Sequence, residues 1–93
     1  MIVTFACKQT ERLFRRETPK RFPVAIRLRA FTKLRMIDAA ESISDLRIPP
    51  ANRLEALKGD RRGQHSIRIN QQWRVCFRWN GRDAYGVEIV DYH

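Results

Sequence analysis

Apolar residues recur with a helical period in the first half of the chain and with a strand period in the last third. In residues 22–38 they form two rows, with basic residues between and opposite them. This pattern predicts an amphipathic helix, the strongest in the chain, and we expect it to pack on the core. One row comprises Val24, Leu28 and Phe31, and the other comprises Ile26, Ala30, Leu34 and Ile37.

Shorter elements flank this helix. Residues 2–5 are β-branched or aromatic, which predicts an edge strand at the N-terminus. Residues 8–16 are mostly polar and predict a narrow-faced helix that ends before Pro19. Residues 39–46 predict one more helical turn with Ser42 as its cap, and the adjacent prolines that follow interrupt regular structure.

The last third alternates with a period of two, which predicts strands. The expected strands are residues 54–57, a hairpin of residues 65–70 and 73–79, and residues 85–89 after a turn at 80–82. The loop at residues 58–63 contains two glycines and three basic side chains, so its backbone could approach a phosphate closely. The spacing of the glycines alone is a weak signal of such a site.

If the large apolar residues of both hairpin strands face the helices, the register is constrained to pairings that keep these residues on one face of the sheet. Pairing Ile69 with Trp73 places Arg68 directly opposite Arg74. Opposed like charges destabilise a sheet, so acidic side chains, a bound anion or both should surround these arginines.

The parity argument leaves two interpretations of Arg74. A turn of odd length after Trp79 would pair it with Asp83 and bring Glu88 opposite Arg74. Arg74 is then either half of a structural ion pair or a cation that Glu88 holds in place for a phosphate. No acid pairs obviously with Arg68, which favours a ligand at that position.

Composition restricts the class of protein and of partner. At 93 residues the chain is expected to form one domain. Nineteen Lys and Arg against ten Asp and Glu give a net charge of +9, which favours polyanions and above all nucleic acid. No apolar run approaches the ~20 residues of a membrane span, and a signal-peptide pattern is lacking, so we expect a cytoplasmic protein without membrane contact. The two cysteines and two histidines lack metal-ligand spacing, so no metal site is expected.

The last third also carries a family resemblance. Four stretches closely resemble the HigB-like toxins of bacterial type II toxin-antitoxin systems, within the wider RelE/ParE superfamily. They are NRLEALKGDRRG at residues 52–63, SIRIN at 66–70, the Trp73-Arg74 pair and the closing Asp91-Tyr92-His93. The resemblance implies a single α+β domain over residues 1–93, with two N-terminal helices packed on a mainly antiparallel β-sheet.

The activity that this resemblance implies is ribosome-dependent cleavage of messenger RNA, without a metal or other cofactor, by attack of a ribose 2′-hydroxyl on the adjacent phosphate. The reaction needs a base, cations around the phosphorane, and an acid for the departing 5′-oxygen. By matching positions, Arg74 would stabilise the phosphate charge. Asp91, Tyr92 and His93 would supply proton transfer and substrate positioning, and His93 is favoured because imidazole titrates near neutrality.

The resemblance also implies RNA contacts and partners. Lys58, Arg61, Arg62 and Arg68 are expected to contact the RNA backbone, where cations position a substrate without reading its sequence. Glu55 stands where some family members have a histidine, which leaves Glu55 or Lys58 as a substitute for it. The implied partners are a HigA-type helix-turn-helix antitoxin, the ribosome with its messenger RNA, and operator DNA only through the complex with the antitoxin.

Two other functions stay open. The first is a ParE-like gyrase poison of the same fold, against which the combination of Arg74 with residues 91–93 argues. The second is a basic RNA-binding module without catalysis, in which arginines and exposed aromatic rings form a stacking platform.

Overall fold

The computed structural model describes residues 1–92, and in it two helices pack on one face of a four-stranded antiparallel sheet. The helices are α1 (Lys8–Phe14) and α2 (Val24–Ala39). The strands are β1 (Glu55–Ala56), β2 (His65–Arg68), β3 (Trp73–Asn80) and β4 (Asp83–Asp91), which lie side by side in chain order. Three short 3₁₀ helices are present, at Ile43–Arg47, Pro50–Asn52 and Gly59–Arg61. The predicted α+β architecture with two N-terminal helices is confirmed.

The N-terminal segment lies at the edge of the sheet beside β4, but residues 2–5 do not form a regular strand. They form two isolated parallel bridges, one between Ile2 and Ala84 and one between Phe5 and Val87. The segment therefore lies at a sheet edge as predicted, but its pairing is less regular than its composition predicts.

The helical turn predicted after α2 is present as the 3₁₀ helix Ile43–Arg47, with Ser42 at its N-cap position. The Asp45 carboxylate accepts hydrogen bonds from the backbone N–H groups of Glu41 (2.9 Å) and Ser42 (3.2 Å). These bonds lower the pKa of Asp45. They also satisfy donors that the start of a helix otherwise leaves unpaired.

Only one of the two apolar rows of α2 packs against the sheet. The buried row consists of Ile26, Ala30, Leu34 and Ile37. Val24 and Leu28, from the other row, are 75% and 78% exposed, so the expectation that they pack on the core is wrong. At about 100° per residue the mean directions of the two rows differ by about 130°, and a single sheet covers only one of them.

The predicted register of the first hairpin is confirmed. Ile67 pairs with Val75, and Arg68 pairs with Arg74, across β2 and β3. The apolar members of these pairs are fully buried on the helix side of the sheet. Parity excludes a shift of one residue, which would move the apolar side chains of one strand to the wrong face, and the short connection that pairs Ile69 with Trp73 fixes the rest.

The predicted register of the second hairpin is wrong. Its turn has two residues, with Asn80 paired to Asp83, so Trp79 lies opposite Ala84. Gly81 and Gly86 both have positive φ, +66° and +61°, which glycine adopts at little steric cost.

A bulge between the two ends of this hairpin then changes the register by one residue. As a result Glu88 lies opposite Cys76, and Arg74 lies opposite Val90. The expected pairing of Glu88 with Arg74 does not occur.

Candidate active site

The sheet face that points away from the helices carries polar and ionisable side chains, and we call it the outer face. Because side chains alternate along a strand, it contains the neighbours of the buried apolar residues. Its members on β2, β3 and β4 include Ser66, Arg68, Arg74, Cys76 and Glu88. The segment from residue 53 to residue 63 lies over part of this face, as the contacts below show.

Arg74 is held at several points of its guanidinium group and is only 8% exposed. Its Nε donates to Ser66 Oγ at 2.8 Å, and its Nη2 donates to the backbone carbonyl of Arg53 at 2.7 Å. Nη2 also lies 3.4 Å from Glu55 Oε1. Because Nε and Nη2 donate to different acceptors, the orientation of the guanidinium plane is fixed. A single ion pair would leave the plane free to turn.

Tyr92 lies beside this arginine. The Arg74 Cζ atom is 5.6 Å from the centroid of the Tyr92 ring, and the tyrosine is 42% exposed. The Tyr92 backbone N–H donates to the carbonyl of Gln72, which ties the end of the chain to the turn between β2 and β3. One solvent-accessible ring and one fixed cation are therefore adjacent, as a site for a nucleotide base next to its phosphate requires.

Asp91 does not lie on the same face of the sheet as Arg74. Asp91 pairs with Trp73, whose ring packs against the core residue Phe22, so alternation assigns Asp91 to the helix side of β4. Its carboxylate accepts a hydrogen bond from Gln72 Nε2 at 3.1 Å. His93 lies outside the described residues.

The four cations predicted to contact RNA have different surroundings. Lys58 and Arg62 are exposed on the loop between β1 and β2. Arg61, on the same loop, donates to Glu88 Oε1 at 2.9 Å, and this hydrogen bond is the main reason that the pKa of Arg61 is raised. Arg68 donates to the Asn70 carbonyl at 3.0 Å and forms no ion pair within residues 1–92.

The loop between β1 and β2 is anchored to the outer face rather than extended into solvent. Besides the Arg61–Glu88 pair, Arg78 Nη1 donates to the Arg62 carbonyl at 3.5 Å. Cys76 lies on the same face, opposite Glu88, and is fully buried. Its burial raises the pKa of the thiol, so it stays neutral near pH 7.

Sequence reasoning missed two groups that hold Arg74. Ser66 lies on the same face as Arg74 and diagonal to it, so the parity argument contained the signal for this contact. The Arg53 carbonyl carried no signal, because any residue supplies a carbonyl and Arg53 itself adopts the left-handed conformation at φ +46°.

Known proteins with similar sequences decide the family. The family model described as the RelE-like toxin of type II toxin-antitoxin system HigB matches residues 3–93. The chain belongs to this family. "Toxin HigB-1" of Vibrio cholerae serotype O1 is 42% identical over 80 residues, which cover 85% of this chain and 84% of that protein. "Endoribonuclease HigB" of Proteus vulgaris is 34% identical over 93 residues, the whole of both chains.

Membership in the HigB family gives this toxin an antitoxin partner, since type II systems pair the two. Across residues 1–92, this HigB-like toxin has no group of three His, Cys, Asp or Glu side chains arranged to hold a metal ion. No helix in that part of the chain is long and apolar enough to cross a membrane.

Proposed function

We propose that this HigB-like toxin is an endoribonuclease that cleaves messenger RNA on the ribosome by attack of a ribose 2′-hydroxyl on the adjacent phosphate. The observation that carries the proposal is Arg74, a buried cation with a fixed orientation beside the exposed ring of Tyr92. The Proteus vulgaris relative, matched over its whole length, is named as an endoribonuclease.

In this proposal Arg74 stabilises the charge that develops on the phosphorane. Its Nε and Nη2 atoms already donate to the protein, which leaves Nη1 to donate to a phosphate oxygen. A donor that is fixed before the substrate arrives needs no reorganisation when charge appears on the phosphate. This preorganisation is the property that separates Arg74 from the exposed cations of the same face.

Proton transfer is assigned to groups near Arg74 and at the end of the chain. His93 is proposed as a base or acid, because an imidazole changes charge near neutrality and suits both roles. Tyr92 stacks on a base next to the cleaved bond. Asp91 positions the chain end through its contact with Gln72. Glu55, whose side chain is 54% exposed and touches Arg74, stays with Lys58 a candidate for the place of the histidine that some family members have at this position, and it also helps to orient Arg74.

The loop cations and Arg68 are proposed to position the RNA backbone. Lys58 and Arg62 are exposed and can reach phosphates, and Arg61 is oriented by Glu88. Such contacts supply affinity and register without discriminating between bases. Sequence preference would then come from how the ribosome presents the messenger.

Dependence on the ribosome fits the exposure of the site beside Tyr92, which is 42% exposed. Neither α1 nor α2 lies over the outer face, because both pack on the opposite face of the sheet. Positioning of the reacting atoms can supply much of a rate enhancement, so a partner that holds the RNA in place would compensate for an open site. We further propose that the antitoxin is of the HigA helix-turn-helix type, that operator DNA is contacted only through its complex, and that the toxin acts in the cytoplasm.

The test is primer extension on a translated messenger in a reconstituted ribosome system. Wild type, Arg74→Ala and a chain truncated before His93 are compared. New 5′ ends that require translation and both intact residues support the proposal. An intact messenger with folded, antitoxin-free wild type contradicts it. DNA breaks in the presence of gyrase would then indicate a gyrase poison, and RNA binding without cleavage would indicate a non-catalytic module.

A further inference from the structure

A second cationic site lies next to the outer face, in a cavity between α2, the segment around residue 53 and the turn that joins β2 to β3. Its volume is about 460 Å³, within the range of small-ligand sites. The polar residues that line it are Arg29, Lys33, Arg53, Arg68, Asn70 and Gln71. Four of these are cations, and the described residues that line the cavity include no acid.

Lys33 is the member of this site that is hardest to explain by packing alone. It lies on the buried side of α2 and is 9% exposed, although lysine is rarely buried without a partner of opposite charge. Within residues 1–92 it forms no ion pair. Burial, followed by the nearby charge of Arg29, lowers the pKa of Lys33.

The one acceptor that Lys33 has in the described chain is held in place for it. Lys33 Nζ donates to Asn52 Oδ1 at 2.5 Å, and Asn52 is fully buried. Asn52 Nδ2 donates to the Leu46 carbonyl at 3.2 Å, which fixes the amide so that its oxygen faces the lysine. An ammonium group has three N–H donors, so this neutral contact leaves both the charge and two donors for a ligand.

Arg53 connects this cavity to Arg74. It lines the cavity, and its carbonyl accepts the 2.7 Å hydrogen bond from Arg74 Nη2. Arg68, which also lines the cavity, pairs directly with Arg74 across the sheet.

The turn between β2 and β3 makes the same connection from the other side. Asn70 and Gln71 border both this cavity and the neighbouring cleft at Tyr92. The cationic cavity thus lies next to the proposed catalytic residues. Arg53, Arg68, Asn70 and Gln71 connect the two.

We infer that this cavity binds a phosphate group of the RNA strand, next to the phosphate that is cleaved at Arg74. Uncompensated cations around a cavity are expected to attract an anion, and arginine with lysine is the combination that binds phosphate. The shared walls with Arg74 and Tyr92 favour RNA over an acidic protein segment, because a strand held at Arg74 would pass the cavity. The inference rests on the proposed function.

The test measures binding without cleavage, using a single-stranded hexanucleotide with 2′-O-methyl groups and, separately, inorganic phosphate. Arg53→Asn removes the guanidinium while keeping a residue that tolerates the left-handed conformation. Arg29→Gln is a second, exposed substitution. Arg82→Gln is the matched control, because it removes one charge at the turn between β3 and β4, at the other end of β3.

For the hexanucleotide, we expect Kd to rise about tenfold in Arg53→Asn and in Arg29→Gln, as for the loss of one charged hydrogen bond. The slope of log Kd against log salt should change by about one for each variant. Arg82→Gln should stay within about twofold of wild type. Inorganic phosphate should shift the amide resonances of residues 33, 53 and 70 in wild type and much less in Arg29→Gln.

Three results would overturn the inference. The first is wild-type affinity in both variants, and the second is an equal loss in Arg82→Gln, which would show a general charge effect only. The third is unchanged RNA affinity with weakened antitoxin binding, which would assign the cavity to an acidic protein segment. Circular dichroism checks folding, and if Arg53→Asn is unfolded, the exposed Arg29→Gln variant decides.

Failure of the inference and failure of the proposed function are distinguishable. If wild type does not cleave messenger RNA on the ribosome but the variants lose hexanucleotide affinity, the phosphate site stands without the nuclease. If wild type cleaves and the variants bind normally, the nuclease stands without this phosphate site.

Discussion

Arg74 and Arg62 differ in how firmly the protein holds their side chains. Arg74 is 8% exposed and contacts a serine hydroxyl, a carbonyl and a carboxylate. Arg62 is exposed, and within residues 1–92 its side chain has no ion pair. The two side chains carry the same charge, so the difference lies in orientation. A fixed guanidinium suits a transition state, whereas a mobile one suits attraction of a polyanion.

The largest effect should come from replacing Arg74 with lysine, which keeps the positive charge but lacks the planar guanidinium group. We expect Arg74→Lys to lower the cleavage rate on the ribosome by about 10²–10³-fold, the range seen when one fixed transition-state donor is lost. Single-turnover cleavage of a translated messenger measures it. Arg62→Lys is the matched control and should cleave at the wild-type rate. Equal losses in both variants would contradict the distinction between the fixed Arg74 and the exposed Arg62.

A smaller effect is expected from the carboxylate beside Arg74. Glu55→Gln keeps the size of the side chain and removes its charge, so the orientation of Arg74 is held less firmly. The cleavage rate should fall about tenfold, comparable to the loss of one charge-assisted hydrogen bond. Asp60→Asn, an exposed acid on the neighbouring loop, serves as the control. A wild-type rate in Glu55→Gln would show that the serine and carbonyl contacts alone suffice.

The loop cations should change binding rather than chemistry. Lys58→Gln and Arg62→Gln are each expected to weaken ribosome or RNA association severalfold and to reduce its salt slope by about one, with no change in the rate at saturation. Association measured at two or more salt concentrations, beside the saturated rate, separates the effects. A lower saturated rate would place these residues with Arg74 instead.

The smallest effect concerns Cys76, the buried thiol of the outer face. Burial raises the pKa of Cys76 above its ordinary value of 9.0, so the folded chain keeps the proton that the unfolded chain loses. Stability is then unaffected below about pH 9 and falls as pH rises, by at most about 1.4 kcal/mol per pH unit.

Urea unfolding at pH 7 and pH 10 checks this pH dependence, with Cys76→Ser as the comparison. The wild type should lose more stability than the variant over this interval. Cys7 is present in both chains and cancels from the difference. Equal losses in the two chains would show that the Cys76 thiol titrates normally in the fold.

The parts of the fold that depend on periodicity could be predicted from the sequence. Parity together with the pairing of Ile69 and Trp73 across a short turn placed Arg68 opposite Arg74, because a shift of one residue would turn the apolar residues of one strand outward. The same arithmetic, applied at 100° per residue, would have shown that Val24 and Leu28 lie away from the buried row of α2. That error came from expecting both rows to pack on the core, and the sequence itself could have corrected it.

Other parts depended on local backbone choices that the sequence does not specify. A two-residue turn and a bulge near Gly86 together decide that Glu88 faces Cys76, where it binds Arg61 instead of Arg74. Arg53 adopts a left-handed conformation in which arginine is uncommon, and this conformation gives Arg74 its carbonyl acceptor. Of the groups that hold Arg74, the sequence therefore contained a signal for Ser66 but none for the Arg53 carbonyl.

In the proposed function, orientation and not charge makes Arg74 the catalytic cation. The direct measurement is the single-turnover cleavage rate of Ser66→Ala at saturating ribosome, because this variant keeps the arginine and removes the hydroxyl that holds its Nε. With folding verified by urea unfolding, the rate should fall about tenfold while ribosome affinity is unchanged. A rate equal to wild type would contradict the claim.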